Sequence, residues 1–536
     1  MAKPVREIQL VLPSGGNPVV QRIADIFARQ VEARSSAEAG ASEGASLRVV
    51  LAIEPGPDPE AFTIAGEPDG AVRITGHDAR GLLYGVGKFL RASQYGEEGF
   101  TPGAWRGASA PKGAFRALYC ATHFMNYYEA APADEMGRYL EDVALWGANT
   151  VMVTFPTWQF TGFDDPKAEM NLKRLHELHG MAKGIGLQAG LMLCPNQGFA
   201  SAPEAIRATR VPDDLGRRGW HGVNCCPSLP QGREYLTGLY GQLFDEFAEE
   251  GVDYIVFWPY DEGGCGCETC WPWGARGYPR LSREIAALAR QRFPAVKTVL
   301  STWVYDTPPA GEWEGLAAFL KPDASWLDFI MADSHEDFPR YPLETGSPAG
   351  LPLVNFPEIS MWGQSPWGGY GANPLPARLE RLWQQTEGRV QGGEPYSEGI
   401  YEDINKAICY QFYWDPGRSA METVAEYLAF EFSPDVVDDL LEVVRIFEAN
   451  HVRTQIGESA LRAFELVKQV EDKLSQSARQ AWRWRIVYLR AQIDAELYRT
   501  EGRLEGEILK NAFDELTSIY HAEAAHSMPI RPPRIE

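Results

Sequence analysis

The sequence predicts an α/β fold: a (β/α)8 TIM barrel set between a small N-terminal α+β domain and a C-terminal α-helical domain. Three observations lead there. From Gly113 to about residue 418, short apolar runs alternate with amphipathic segments, the order that yields parallel βαβ units. Eight such repeats in about 310 residues suit a closed barrel with enlarged loops. Beyond Ser419 the apolar spacing is helical throughout and no strand signal recurs. The expected domains are therefore 1–112, 113–418 and 419–536.

In the first domain, Ile8–Leu12 reads as a strand and Asn17–Ala33 as a helix. SSAEAGASEGA at 35–45 reads as a surface loop. Leu47–Ile53 is a second strand, and Phe62–Ile64 with Val72–Ile74 forms a hairpin around Gly66–Gly70. A helix over about Ala79–Ala92 follows. The expected barrel strands are Phe115–Cys120, Thr150–Phe155, Leu187–Leu193, Tyr254–Trp258, Thr298–Trp303, Trp326–Met331, Leu353–Phe356 and Val390–Gly393. Helices between them include Ala133–Trp146, Leu172–Gly184, Tyr235–Glu250, Ser282–Arg292 and Leu375–Gln385. In the last domain, Val437–Glu448, Leu461–Leu474 and Gln480–Asn511 carry apolar residues at helical spacing, to pack on the barrel or on a second copy in a homodimer. There Trp482 and Trp484 read as core.

A chain of 536 residues is too long for one core. Its formal charge of −23 repels nucleic acid and anionic membranes, so neither is an expected partner. A small neutral oligosaccharide or glycoside is unaffected by that charge. The opening MAKPVREIQLVLPSGG has no apolar signal core, and no window approaches 18 uninterrupted apolar residues, so a soluble, cytoplasmic protein is expected.

The most informative stretch of the chain is Asp253–Gly274, DYIVFWPYDEGGCGCETCWPWG. A buried strand runs directly into adjacent carboxylates, Asp261 and Glu262, at the strand end where such barrels place their chemistry. Taken alone, the pair also fits an Asp capping the loop and a Glu facing water. Other strand exits add His123 and Asn126, then Trp158 and Gln159, Asn196 and Gln197, Tyr260, Trp303, Tyr305 and Asp306. Later exits supply Asp333 and His335, Glu358, Trp362, Trp367 and Tyr370, and Glu394, Tyr396, Glu398, Glu402 and Asp403. The loop before Pro230 adds Arg217, Arg218, Trp220 and His221. Each aromatic taken singly is more often core. Clustered with carboxylates at one rim, they form a sugar-binding composition: rings stack on the C–H face of a pyranose while carboxylates and amides take its hydroxyls. Glycoside hydrolysis needs an acid for the leaving oxygen and a second group at the anomeric centre. By fold analogy Glu262 is the acid, its pKa raised by the neighbouring Asp261. Glu402 and Asp403 read more simply as favourable charge at a helix N-terminus.

Cys120, Cys194 and Cys409 read as buried thiols, and eight cysteines are too few for a disulfide scaffold. Cys265, Cys267 and Cys270, spaced C-x-C-x-x-C, could hold structural zinc with a fourth ligand from Cys225, Cys226 or His221, Cys226 being the choice made here. The alternative is reduced thiols packing a loop. No cofactor is expected for catalysis.

The hairpin followed by G-x-x-x-R-G-L-L-Y-G, about 50 residues in all, resembles the small domain that precedes the barrel in β-N-acetylhexosaminidases and α-glucuronidases. The Asp261-Glu262 pair resembles that of the hexosaminidases of glycoside hydrolase family 20. That resemblance implies that Asp261 orients a substrate 2-acetamido group, which itself attacks the anomeric carbon, with Glu262 as the acid and Trp303 and Tyr305 walling the acetamido pocket. The family's His-x-Gly-Gly-Asp-Glu is here Trp258-Pro259-Tyr260-Asp261-Glu262, and its strand-three motif is replaced by Leu193-Cys194-Pro195-Asn196. The cysteine spacing is closer to the endo-β-N-acetylglucosaminidases of family 163. The expectation is a retaining, hexosaminidase-like glycosidase. The alternatives are an inverting α-glucuronidase-like enzyme pairing Glu262 with Asp333 or Glu358, and a sugar-binding protein without catalysis.

Overall fold

The computed structural model describes residues 3–13, 15–41, 44–123, 126–212, 222–261, 263–360, 370–524 and 532–536. Its centre is a closed barrel of eight parallel strands: Phe115–Cys120, Thr150–Thr154, Gln188–Leu193, Tyr254–Phe257, Lys297–Ser301, Phe329–Ser334, Leu353–Pro357 and Val390–Gly393. Neighbours in sequence are neighbours in the barrel, and the eighth strand pairs with the first. Strands wholly enclosed in this way read as continuous apolar runs, and Tyr254–Phe257 is buried at every residue. Closure depends on glycine. Gly392 lies opposite Phe115 at φ 116°, and a Cβ there would fall 1.9 Å from the Phe115 carbonyl oxygen.

Seven strands lie within a few residues of their expected limits. The sixth is displaced from Trp326–Met331 to Phe329–Ser334. Trp326 and Leu327 are buried in the turn that enters the strand, so their apolar character marks packing rather than pairing. Asp328 then donates its N–H to the Thr298 carbonyl at 2.9 Å and begins the ladder, while its carboxylate accepts the Thr298 N–H at 2.8 Å. Helices follow each strand. Pro166–Gly184 starts six residues earlier than the apolar spacing implies, because Asp165 caps the Lys167 N–H and Pro166 fills the first helical position.

The N-terminal sheet has six strands, ordered Glu38–Gly40, Glu7–Val11, Leu47–Ile53, Val72–Gly76, Phe62–Gly66, Gly107–Ser109. Its helices are Pro18–Arg34 and Ala79–Arg91. The expected loop at 35–45 contains an edge strand, Glu38–Gly40, paired in parallel with Glu7–Gln9. A polar composition hides a strand this short because few of its side chains enter the core. This sheet is tied to the closed end of the barrel by Glu60, whose carboxylate takes Arg116 at 2.6 Å, Arg80 at 2.7 Å and Asn149 at 3.2 Å. Burial opposes charge on Glu60, but the two guanidinium groups outweigh it and hold the carboxyl below its ordinary range.

The C-terminal helices include Ala420–Glu431, Val437–Ala449, Ser459–Glu471, Trp482–Arg499 and Glu507–Ile519. Ser419 and Glu422 form a capping box at the start. The single helix expected over Gln480–Asn511 is two, broken where Glu501 and Gly502 take left-handed φ of 53° and 81°. These helices pack on the barrel of the same chain. Arg483 pairs with Asp403 at 2.7 Å, the Tyr401 hydroxyl donates to the Leu516 carbonyl at 2.6 Å, and Tyr401 stacks on Tyr520 at 4.6 Å. Trp484 is fully buried. Among the described residues no helix is long and apolar enough to cross a membrane.

Candidate active site at the open end of the barrel

At the C-terminal ends of the strands, aromatic rings form a connected wall. Trp258 packs on Trp303 at 5.6 Å and on Phe356 at 4.7 Å. Phe356 meets Tyr396 at 5.8 Å, and Tyr396 meets Tyr119 at 5.3 Å and His335 at 6.1 Å. Trp303 closes the circuit against His335 at 6.4 Å. The six residues lie in or just after strands four, five, seven, eight, one and six, so the wall lines the barrel mouth on every side but that of strands two and three. Strand alternation produces this: residues at matching heights on parallel strands turn inward together.

Glu358 lies inside this wall. One carboxylate oxygen accepts the Ser360 N–H at 2.7 Å and its hydroxyl at 2.5 Å, and the other pairs with His335 Nε2 at 3.0 Å. The Glu358-x-Ser360 spacing lets one loop turn satisfy the oxygen locally. Glu398 sits deeper, fully buried, with the Tyr396 hydroxyl donating to it. Burial, reinforced by Glu402 and Glu358, pushes its carboxyl up to about 8 against the Tyr396 hydrogen bond, so it is a neutral acid at pH 7. Glu394, at the exit of strand eight, is also fully buried and pushed by burial up to about 8. Among the described residues neither of its carboxylate oxygens has a hydrogen-bond partner.

Asp261 is half-buried at the exit of strand four, with a left-handed φ of 69°. That conformation is strained for a residue with a Cβ and is common at sites where a loop must aim side chains. Glu262, Trp362, Trp367, Arg217, Arg218, Trp220 and His221 lie outside the described residues. His123 is buried beside Tyr119 at 6.1 Å, and its carbonyl accepts from Gln159 at 2.7 Å. Trp158 is half-buried against Gly222.

Several residues expected to meet a sugar make hydrogen bonds that hold the loops together. The Asn196 amide is fully buried, accepting the Gly264 N–H at 2.8 Å and donating to the Gly264 and Cys225 carbonyls at 2.7 and 3.1 Å. Tyr260 is fully buried and donates to Glu312, which also accepts the Gly274 N–H at 2.8 Å. Tyr305 is buried and donates to the Gly274 carbonyl at 2.7 Å. Asp333 accepts the N–H groups of His335 at 3.0 Å and Val304 at 3.2 Å, which fixes the loops after strands five and six. Asp403 pairs with Arg483 and Tyr427 rather than serving only as charge at a helix start.

Beside the acidic loop, the Sγ atoms of Cys226, Cys265, Cys267 and Cys270 all lie within 4.8 Å of one another. This group has the donor set and spacing to hold a metal. Cys225 faces away, toward Gly198 and Tyr235.

No protein-family model matches the sequence. No curated protein matches it either. Solved structures do match the fold. A family 115 4-O-methyl-α-glucuronidase with specificity for decorated arabinogalactans superposes with a TM-score of 0.65 at 14% identity, over 97% of this chain and 76% of that one. A family 89 glycoside hydrolase from Clostridium perfringens gives 0.64 at 11% identity, over 94% of this chain and 64% of that one. The Streptomyces plicatus N-acetyl-β-hexosaminidase gives 0.52 at 14% identity, over 80% and 92%. The chain thus shares its fold with these TIM-barrel glycoside hydrolases at 11–14% sequence identity.

Proposed function

We propose that this protein hydrolyses the glycosidic bond of a small oligosaccharide or glycoside, with Glu262 as general acid and Glu358 as the second carboxylate. The observation that carries the reading is Glu358 itself: a carboxylate within the aromatic wall, held by Ser360 and His335 at the exit of strand seven. In the proposed cycle Glu262 gives its proton to the leaving oxygen while Glu358 attacks the anomeric carbon and forms a glycosyl ester. Glu262, now a carboxylate, takes a proton from water, the water cleaves the ester, and both residues return to their starting states. Burial favours the neutral form of Glu398, which makes it the poorer nucleophile. Asp333 is read instead as a positioning residue, since it ties the Val304 and His335 N–H groups of two neighbouring loops. Among the structural neighbours, the Clostridium family 89 enzyme with two glutamates changed to glutamine was solved with its substrate GlcNAc-α-1,4-galactose, which supports a two-glutamate chemistry on this fold.

Asp261 favours a second reading, in which a substrate 2-acetamido group attacks in place of Glu358 and Asp261 orients it. The likeness to the hexosaminidase fold supports it. The burial of Tyr260 and Tyr305 beneath the loop weighs against it. A panel of aryl glycosides bearing neutral, 2-acetamido and uronic sugars tests both. Glu262→Gln is expected to lose about 10²–10⁴-fold in turnover of substrates with poor leaving groups, with the fold retained. Near-normal turnover would remove Glu262 from the acid role. Strong inhibition by a thiazoline, with a crippled Asp261→Ala and an active Glu358→Gln, would establish the second reading instead.

A further inference from the structure

We infer that Cys226, Cys265, Cys267 and Cys270 form a closed tetrathiolate zinc site that staples the loop after strand three to the loop after strand four. The inference does not depend on the glycosidase reading. Four observations carry it.

The first is geometric. A tetrahedral zinc with Zn–S bonds of about 2.3 Å places its sulfurs about 3.8 Å apart. Cys226 and Cys267 stand at 3.7 Å, and all four Sγ atoms fall within 4.8 Å of one another. A small adjustment of the remaining pairs completes the tetrahedron.

The second is the backbone around the ligands. The N–H groups of Cys270 and Trp271 both donate to the Cys267 carbonyl, at 3.0 and 2.9 Å, so the C-x-C-x-x-C segment turns tightly around one point. The fourth ligand arrives from a different loop, fixed by the Cys226 N–H on the Ile206 carbonyl at 2.8 Å. Adjacent residues of an extended segment face opposite ways, which explains why Cys226 joins the group and Cys225 does not.

The third is a supporting shell. The Ser228 hydroxyl lies 2.9 Å from Cys226 Sγ and 3.4 Å from Cys267 Sγ, placed to donate to a thiolate. Hydrogen bonds of this kind orient ligands and temper the charge of a four-thiolate site.

The fourth is need. Among the described residues, the chain from Trp258 to Arg276 contains no helix or strand. Loops of this length inside a compact domain are uncommon unless something fixes them. Here the ligand loop presses directly on its neighbour. The Gly266 N–H donates to the Thr209 carbonyl at 2.8 Å, and a Cβ on Gly266 would lie 2.4 Å from the Arg210 carbonyl oxygen. Zinc would complete this seam, and the seam carries Asp261 at its other end.

With four protein ligands the site has no open position for water or substrate, so its zinc is structural. An all-sulfur tetrahedral site also accepts iron, so the test must name the metal. The protein is purified without metal-affinity chromatography and its metals are counted by mass spectrometry. One zinc per chain is expected. Cys226→Ser and Cys270→Ser should each retain less than a tenth of an equivalent, while Cys225→Ser keeps the full complement. Because a ligand variant can fail to fold, a second arm uses the wild-type chain. Its metal is removed by chelation and cobalt is titrated back, monitored by thiolate-to-metal charge transfer and the intense visible bands of tetrahedral cobalt. A break at one equivalent, with recovery of the melting temperature, supports the site. Absence of stoichiometric metal together with a cobalt titration lacking charge-transfer bands overturns it. So does stoichiometric iron, or zinc that survives in Cys226→Ser. None of these readouts requires turnover, so failure of the zinc site and failure of the glycosidase reading are separable.

Discussion

Replacing Glu394 by glutamine should flatten the pH dependence of stability. Glu394 is fully buried at the exit of strand eight, its carboxylate oxygens unmatched among the described residues, and burial raises it from an ordinary 4.5 to about 8. The folded state therefore holds a proton that the unfolded chain releases above pH 4.5. The unfolded state binds fewer protons across this window, so stability must fall with rising pH. Below about 4.5 nothing is lost, and above about 8 the loss is complete. The gap corresponds to at most about 5 kcal/mol. For a chain of 536 residues the unfolding entropy near the midpoint is about 1.1 kcal/mol/K. The loss thus amounts to about 4 °C in melting temperature between pH 5 and 8.5. Glu398, pushed by burial to the same value, adds a term of the same sign. Calorimetric scans of wild type and Glu394→Gln across this range isolate the Glu394 share as the difference between two curves. The variant should lose about 4 °C less than wild type. Parallel curves would mean that Glu394 is ionised in the folded protein and that its surroundings have been misread.

Two other substitutions probe the scaffold and the wall. Glu60→Ala leaves Arg116, which is fully buried, without its carboxylate, and should destabilise by about 3–5 kcal/mol in urea unfolding. A change below about 1 kcal/mol would show that the first domain is not anchored through this pair. Trp303→Ala removes the ring stacked on Trp258 and should raise KM about 2–10-fold with the fold intact, since one aromatic contact is worth about 0.5–1.5 kcal/mol. An unchanged KM would place the sugar elsewhere.

The barrel was legible because its strands are covered on both faces, so eight apolar runs stand out against amphipathic helices. Where a run continued into a buried turn, as at Trp326-Leu327, periodicity alone could not locate the pairing. The site was legible by position and less so by direction. Asn196, Tyr260 and Tyr305 lie at strand exits, yet each turns into the loop beneath. Whether a side chain at an exit faces the mouth depends on local backbone twist, and Asp261 and Val304 both take left-handed φ, at 69° and 60°, without being glycine. Nothing in their identity announces that conformation. His335 and Glu358 were separate rim residues in sequence, and only the closed barrel brings strands six and seven together so that they pair. Cys226, chosen from Cys225, Cys226 and His221 as the fourth ligand, does join the cluster, while Cys225 turns toward Gly198.

Glu358 is proposed as the carboxylate that meets the anomeric carbon. The most direct measurement uses activated 2-fluoro glycosides of the sugars that the protein turns over, followed by peptide mapping by mass spectrometry. A 2-fluoro substituent slows breakdown of the glycosyl ester, so the nucleophile stays labelled. The account predicts stoichiometric inactivation with the label on Glu358, and no label on Glu358→Gln. A label on any other carboxylate, or steady turnover with no covalent adduct, would contradict it.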